Sequence, residues 1–520
     1  MKASSRVSPR TGPERCGTGG DRVAHTLYYA AILPKGHASL GYPGVTMRKK
    51  FTLFATLATL ASFAVWAAPK PSAQDAKTVL SNASKAMGSA NVQTIQYSGT
   101  GTEFAFGQAV NPDSPWPGYV DKSYARTINY ETPAWRVDRM LAEIPPNRRG
   151  GGLPPGPTQS IVIGANTPWA QQVDLWLTPF GFLRAAEKNS ATVESKSMGG
   201  KKYTVVTFIA PNKAKMNGYI DAQNMLDRVE TWIDTPMLGD TLVEVTYDGY
   251  KDFGGVKFPT SIVQKQGGYP TLDLAVTDVK PNAPADIQGN PAVAPQTPPA
   301  TSQKLADGVY LILPAYAALA VDFKDYIVVV EGPQSEERAN AVIAEVKRVI
   351  PNKPIKYVVN THNHFDHAGG LRTFVAEGAT IITYRDNKAY YEKIFAQPHT
   401  LNPDRESEAK KKVSIETMTD KKVLTDGNHV VELYRLEGSN HNDGLIMAYL
   451  PKEKILVEAD AFNPPAQPNA PPPTAINANN TNLVQNLERL HLEVETIIPI
   501  HYPADSRKVS MAELTKAVGK

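Results

Sequence analysis

Hydrophobic and polar positions change rhythm several times along the chain. A basic triplet, Arg48-Lys49-Lys50, leads into the apolar run Phe51 to Trp66, which ends in Ala67-Ala68-Pro69. A short helical stretch follows, Asp75 to Met87. From Thr94 the period becomes two. Ile95 to Thr100, Ala134 to Asp138, Thr204 to Phe208, Val229 to Asp234 and Leu242 to Tyr247 all alternate, split by Gly, Pro, Asn and Asp. Such runs predict an antiparallel sheet with one wet face. The Pro/Gly-rich stretch Pro145 to Pro157 reads as a long loop or insertion.

Prolines at 284, 291, 295, 298 and 299 make residues 282–304 an extended linker. Beyond it the rhythm changes again. Val309 to Leu313, Ile327 to Val330 and Ile355 to Val359 are short apolar runs. Between the last two, Ala339, Val342, Ile343, Val346 and Ile350 recur at helical spacing over Ser335 to Val349, and Pro351 stops the helix. Alternating strands and helices predict a layered α/β unit. The expected class is α+β: an antiparallel β-rich domain over 68–281, the 282–304 linker, and a layered domain over 305–520.

Histidine placement locates the chemistry. Of ten histidines, His25 and His37 stand early and the next is His362. The β-rich region is therefore a poor candidate for metal chemistry. The densest cluster is Thr361-His362-Asn363-His364-Phe365-Asp366-His367-Ala368-Gly369-Gly370, between an apolar strand and the helical stretch Leu371 to Glu377. In an extended segment alternate side chains share a face, so His362, His364 and Asp366 can converge.

Composition narrows the classes. The chain of 520 residues is long enough for two domains. Its formal charge is +4, but residues 1–46 carry +4 and the triplet at 48–50 a further +3, leaving −3 for the chain after Ala67. No basic, aromatic-interleaved patch supports nucleic-acid binding. Residues 47–67 read as a signal peptide, with no membrane span left after its removal. Residues 1–46 read as a non-native or disordered extension. Periplasmic or secreted localisation follows. The one cysteine, Cys16, lies in that extension, so metal ligands must be imidazole and carboxylate. Oligomeric state is not legible.

The cluster resembles that of the metallo-β-lactamase-fold hydrolases, over about Leu305 to the C-terminus. Further matches stand in the family's order: His441 in Ser439-Asn440-His441-Asn442, Asp460 after the apolar run Ile455 to Val457, and His501 after Ile497-Ile498-Pro499-Ile500. The resemblance implies an αββα sandwich. It assigns His362, His364 and His441 to one metal, Asp366, His367 and His501 to another, and Asp460 to both. Two Zn2+ are expected, with Mn2+ or Fe allowed by the same donors and no cofactor-binding residues besides. A metal-bridging hydroxide would attack a small-molecule substrate, with Asp366 as catalytic residue orienting it. No Gly-x-Ser-x-Gly elbow offers a serine nucleophile. The bridging Asp is typical of ester, lactone or thioester hydrolases, with a β-lactam hydrolase as the alternative chemistry. Rival readings are a mononuclear iron sulfur dioxygenase and a non-catalytic periplasmic lipid or ligand carrier. The stretch from Arg228 through Thr260 is similar to the curved half-barrels of periplasmic lipoprotein carriers.

Around the seven ligands, Asp443 is expected either to orient His441 or to serve a turn. Asn442 or Tyr502 would donate to an oxyanion. Glu458 would face away from Asp460 by strand alternation. His399 reads as a surface histidine, with a place beside the substrate as the alternative.

Overall fold

The computed structural model describes residues 73–142, 148–152, 159–165, 167–287, 297–314, 316–467, 470–471 and 475–520. The expected extension and signal peptide lie outside them. No helix among the described residues is long and apolar enough to cross a membrane.

The alternating runs of the N-terminal region form one eleven-stranded antiparallel sheet. Its first strand, Thr94–Phe104, pairs on one side with Gly118–Asn129 and on the other with the last, Tyr269–Pro281. One face buries Ile95, Tyr97, Val206, Val229, Val243 and Leu274. Two helices cover that face, Ala73–Met87 through Leu80, Ala83 and Met87, and Pro179–Lys188 through Phe180, Phe182 and Leu183. Thr178 caps the second helix by accepting from Gly181 N at 3.2 Å, and Pro179 sits in its first turn, where its missing N–H costs nothing.

The C-terminal region packs two sheets face to face. One has seven strands, from Thr301–Ala306 at its edge to Ile415–Met418. Thr301–Ala306 falls partly within the expected linker, so the Pro-rich crossing runs directly into the sheet. The other has six strands, from Lys421–Thr425 to Val509–Ser510. Leu311, Leu319, Val328 and Val359 of the first meet Leu433, Met447, Leu456 and Ile498 of the second in one dry core. Across the other face of the seven-stranded sheet lie Glu336–Val349, Leu371–Glu377 and Asn387–Ile394, which bury Val342, Val346, Phe374 and Tyr391. Ser335 caps the first of these by accepting from Arg338 N.

The two regions share apolar core. Phe106, Ala109, Trp116, Met237 and Leu238 of the β-rich region belong to the same buried cluster as Val342 and Phe374. Phe106 packs tilted against Trp116, with ring centroids 4.7 Å apart, and meets Phe365 edge-on at 5.6 Å. The loop Ala105 to Pro117 is thereby held next to the histidine-rich turn.

Candidate metal centre

Parallel pairing places the chemistry at one rim. Ile327–Val330 runs parallel to Ile355–Val359, and Ile455–Glu458 parallel to Thr496–Pro499. Their C-terminal ends lead into Glu331, the cluster from His362, Asp460 and His501 respectively. His441 comes from the loop between Val430–Arg435 and Ile446–Leu450. Ser439 Oγ shapes that loop by accepting from His441 N at 3.2 Å.

The side chains gather as two groups of ligand atoms, each within 4.8 Å of one another: His362, His364, His441 and Asp460, and Asp366, His367 and His501. In the first, His362 Nε2 and His441 Nε2 are 3.3 Å apart. In the second, His367 Nε2 and His501 Nε2 are 3.2 Å apart. Asp460 stands between them. Its Oδ2 is 2.8 Å from His367 Nε2 and 3.2 Å from His441 Nε2, and its Oδ1 is 3.1 Å from His501 Nε2. Asp460 has φ 58°, a left-handed conformation that Asp tolerates better than most residues.

Hydrogen bonds on the outer nitrogens leave the inner ones free to ligate. Glu331 Oε2 accepts from His367 Nδ1–H at 3.2 Å and from the Thr361 hydroxyl at 2.7 Å. Thr361 Oγ1 lies 3.1 Å from His362 Nδ1. His364 Nε2–H donates to the Ala109 carbonyl at 2.9 Å, while its Nδ1 is buried and has no hydrogen-bond partner among the described residues. A buried ring nitrogen without a proton acceptor or donor, facing a carboxylate and other imidazole lone pairs, fits a divalent cation.

Electrostatics agree with that fit. Burial pushes the His364 ring down to about 3, helped by His441, so it is neutral and able to ligate. Burial also lowers His367, but Asp366 and Asp460 outweigh it and hold that ring well above the ordinary histidine value. Burial opposes ionisation of Asp460, yet the charges of His501, His441 and His367 hold its carboxyl well below the usual range. The carboxylates thus draw cationic charge into the centre, which metal ions would supply on displacing the protons.

Accessibility is one-sided. The side chains of His362, His364 and His367 are fully buried, whereas those of Asp366 and His501 are 25% and 22% exposed. Tyr316 lines this open side. Its ring is 4.8 Å from that of His501, and its hydroxyl donates to Asp366 Oδ2 at 3.3 Å.

The β-rich region reaches the centre, contrary to the expectation that it stands apart from the chemistry. It supplies none of the seven candidate ligands, but Gln108 Nε2 donates to Asp366 Oδ1 at 2.9 Å and Ala109 holds His364. The described part of the Pro/Gly-rich insertion, 148–152, lies over this junction. Gly150 N donates to the Asn440 carbonyl at 2.8 Å. A Cβ on Gly151 would come within 2.9 Å of His364 Cε1 and would overlap the Gln108 amide oxygen, so only glycine passes there.

Several surrounding expectations are corrected. Asp443 does not orient His441. It accepts from Asn111 Nδ2 at 2.7 Å and pairs with Arg149, which docks the β-rich region. The Asn442 amide is no free oxyanion donor, because it is buried and bonded to Asn363 Oδ1 and the Ala109 carbonyl. His399 is neither on the surface nor beside this centre. It is buried, with Nδ1 3.1 Å from Asp234 Oδ1. Glu458 does not simply turn away: it is buried, and its Oε2 accepts from Ala461 N and Phe462 N at 3.0 Å each, fixing the turn that carries Asp460. Glu331, Gln108 and Tyr316 escaped the sequence reading altogether. Only Glu331 left a trace there, as an acid directly after a wholly apolar strand.

A mixed two-sheet sandwich with a buried His/Asp cluster at its rim defines a metal-dependent hydrolase domain. The model of the metallo-beta-lactamase superfamily matches residues 330–501, and the C-terminal domain is a member of that superfamily. No curated protein matches the chain. Among solved structures, a metallo-beta-lactamase from Pontibacter korlensis is similar at 18% identity and a TM-score of 0.32, covering 42% of this chain and 97% of its own. The FIM-1 metallo-beta-lactamase from Pseudomonas aeruginosa in its mono-zinc form is similar at 16% identity and a TM-score of 0.33, covering 43% and 96%. Rubredoxin oxygen:oxidoreductase from Desulfovibrio gigas is similar at 17% identity and a TM-score of 0.33, covering 42% and 61%.

Proposed function

We propose that the chain is an exported binuclear metal-dependent hydrolase acting on a small ester, lactone or thioester. The observation that carries this reading is the position of Asp460, whose two oxygens lie within 3.2 Å of ring nitrogens from both groups. On this reading His362, His364 and His441 would hold one ion, Asp366, His367 and His501 the other, and Asp460 would serve both. Zinc ions so held would supply a water of lowered pKa and an electrophile-polarising charge. The chain's own part is positional. Glu331, Thr361 and Ala109 fix the imidazoles, and Asp366 orients the attacking group from the open side, with Tyr316 beside it. Substrate enters past Asp366 and His501, because these two are the most exposed side chains of the set. The sequence pattern of residues 47–67 supports export.

The test is a panel of lactones, thioesters, phosphodiesters and β-lactams, run with metal quantified on the purified chain. Turnover of an ester-class substrate, with about two zinc ions per chain, is expected. Chelator should abolish it, and so should Asp366→Ala or His364→Ala without loss of far-UV circular dichroism. One iron per chain would favour the mononuclear dioxygenase, β-lactams as the preferred substrates would favour the lactamase, and full activity in both variants would remove the site assignment.

A further inference from the structure

The loop Ala105 to Pro117 belongs to the β-rich region, yet two of its groups touch the ligand set from outside. Gln108 Nε2 donates to Asp366 Oδ1 at 2.9 Å. That bond turns the other oxygen inward, where Oδ2 faces His367 Nε2 at 3.4 Å and His501 Nε2 at 3.7 Å. One residue on, the Ala109 carbonyl accepts from His364 Nε2–H at 2.9 Å and leaves Nδ1 unpartnered toward the centre.

Contacts that use none of the seven ligand side chains also hold the loop. Gln108 N donates to the Ala105 carbonyl at 3.2 Å, and the Gln108 carbonyl accepts from Gly151 N at 3.0 Å. Phe106 and Trp116 anchor its two ends in the shared core. On the far side Asp443 N donates to the Val110 carbonyl at 2.8 Å, and Asn111 binds the Asp443 carboxylate. Gly107, at φ 70°, has no room for a Cβ against the Phe365 ring. The loop is thus docked by many contacts besides its two bonds to ligand side chains.

We propose that the β-rich region is a working part of the metal centre: Gln108 is a positioning residue for Asp366, and the Ala109 carbonyl fixes His364 in its ligating tautomer. This rests on the binuclear reading above. Outer partners of this kind tune affinity about 10- to 100-fold. Gln108 addresses the ion held by Asp366, His367 and His501, and Ala109 the one held by His362, His364 and His441. Loosening the loop should weaken both, whereas removing the Gln108 amide alone should weaken one.

The experiment uses the full chain, stripped with chelator and titrated with Zn2+ against a chromophoric competitor, with Co2+ absorption spectra in parallel. Gln108→Met keeps length and packing but removes the donor. The expected result is one of two zinc affinities weakened about 10- to 100-fold and an altered cobalt spectrum, with circular dichroism unchanged. The Asn111→Ala and Arg149→Ala double variant, which loses bonds to Asp443 and the Ser439 carbonyl but touches no ligand side chain, should weaken both sites. Wild-type affinities and an unchanged cobalt spectrum in both variants would overturn the inference while leaving the binuclear reading intact. A wild-type chain that takes up no zinc would sink that reading, and this inference with it.

Discussion

Glu331 Oε2 lies 3.2 Å from His367 Nδ1, and both side chains are fully buried. The same oxygen takes the Thr361 hydroxyl, so one carboxylate steadies two neighbouring imidazoles. Glu331→Gln keeps the volume but turns one oxygen into an NH2, although both already accept, Oε1 from Gly332 N and Oε2 from Thr361 and His367. It should weaken metal binding about 10- to 100-fold. Competitive zinc titration checks this, and unchanged affinity would remove Glu331 from the centre.

Glu458 works through the backbone. Burial raises its carboxyl to about 8, so it is largely protonated at neutral pH. Glu458→Gln should therefore fold with nearly unchanged stability. Glu458→Ala would orphan the amides of Ala461 and Phe462, at roughly 1–3 kcal/mol each, and free the turn that carries Asp460. Urea unfolding of the two variants separates the cases, and equal stability would refute the role.

Arg372 is buried and binds Asp404 and Glu406, locking Leu371–Glu377 to Arg405–Ala409. Burial opposes ionisation of Asp404, but the Arg372 and Ser407 hydrogen bonds win and hold its carboxyl well below the ordinary range. A lowered folded value means stability present above the unfolded value of about 4 and lost as pH falls below it. Asp404→Asn should cost about 2 kcal/mol at pH 7 and progressively less in acid. Denaturant midpoints at pH 7 and pH 3 test the slope, and a cost that persists undiminished at pH 3 contradicts it.

Asp121 presents the opposite sign. It is wholly buried, neither oxygen has a hydrogen-bond partner among the described residues, and burial raises its carboxyl to about 7. The unfolded chain ionises near 4, so between about pH 4 and 7 each pH unit costs the fold up to about 1.4 kcal/mol. Asp121→Asn should raise the melting temperature at pH 8 and have little effect at pH 4. A variant that is less stable at pH 8 would show that the charged form is compensated.

Much of the architecture could be read from local pattern. The β-rich and layered regions and the helices ending at Met87, Val349 and Glu377 all follow from periodicity and punctuation within a few residues. What pattern could not supply is partnership at long range. Gln108 and Ala109 carry no mark in the sequence, since a glutamine and an alanine in a Gly-containing loop are ordinary. His399 looked solvated because nothing nearby in the chain announces Asp234.

By itself the sequence determined which donors are available, imidazole and carboxylate without thiolate, and the order in which they follow strands that end at one rim. Only the tertiary structure decided which nitrogen of His364 faces inward, which ligands stay exposed, and that a residue some 255 positions upstream holds His364. The reason is physical. Side-chain alternation is written into neighbouring residues, whereas the docking of one region on another is settled by the complementarity of two assembled surfaces, here Phe106 and Trp116 against the Phe365 turn.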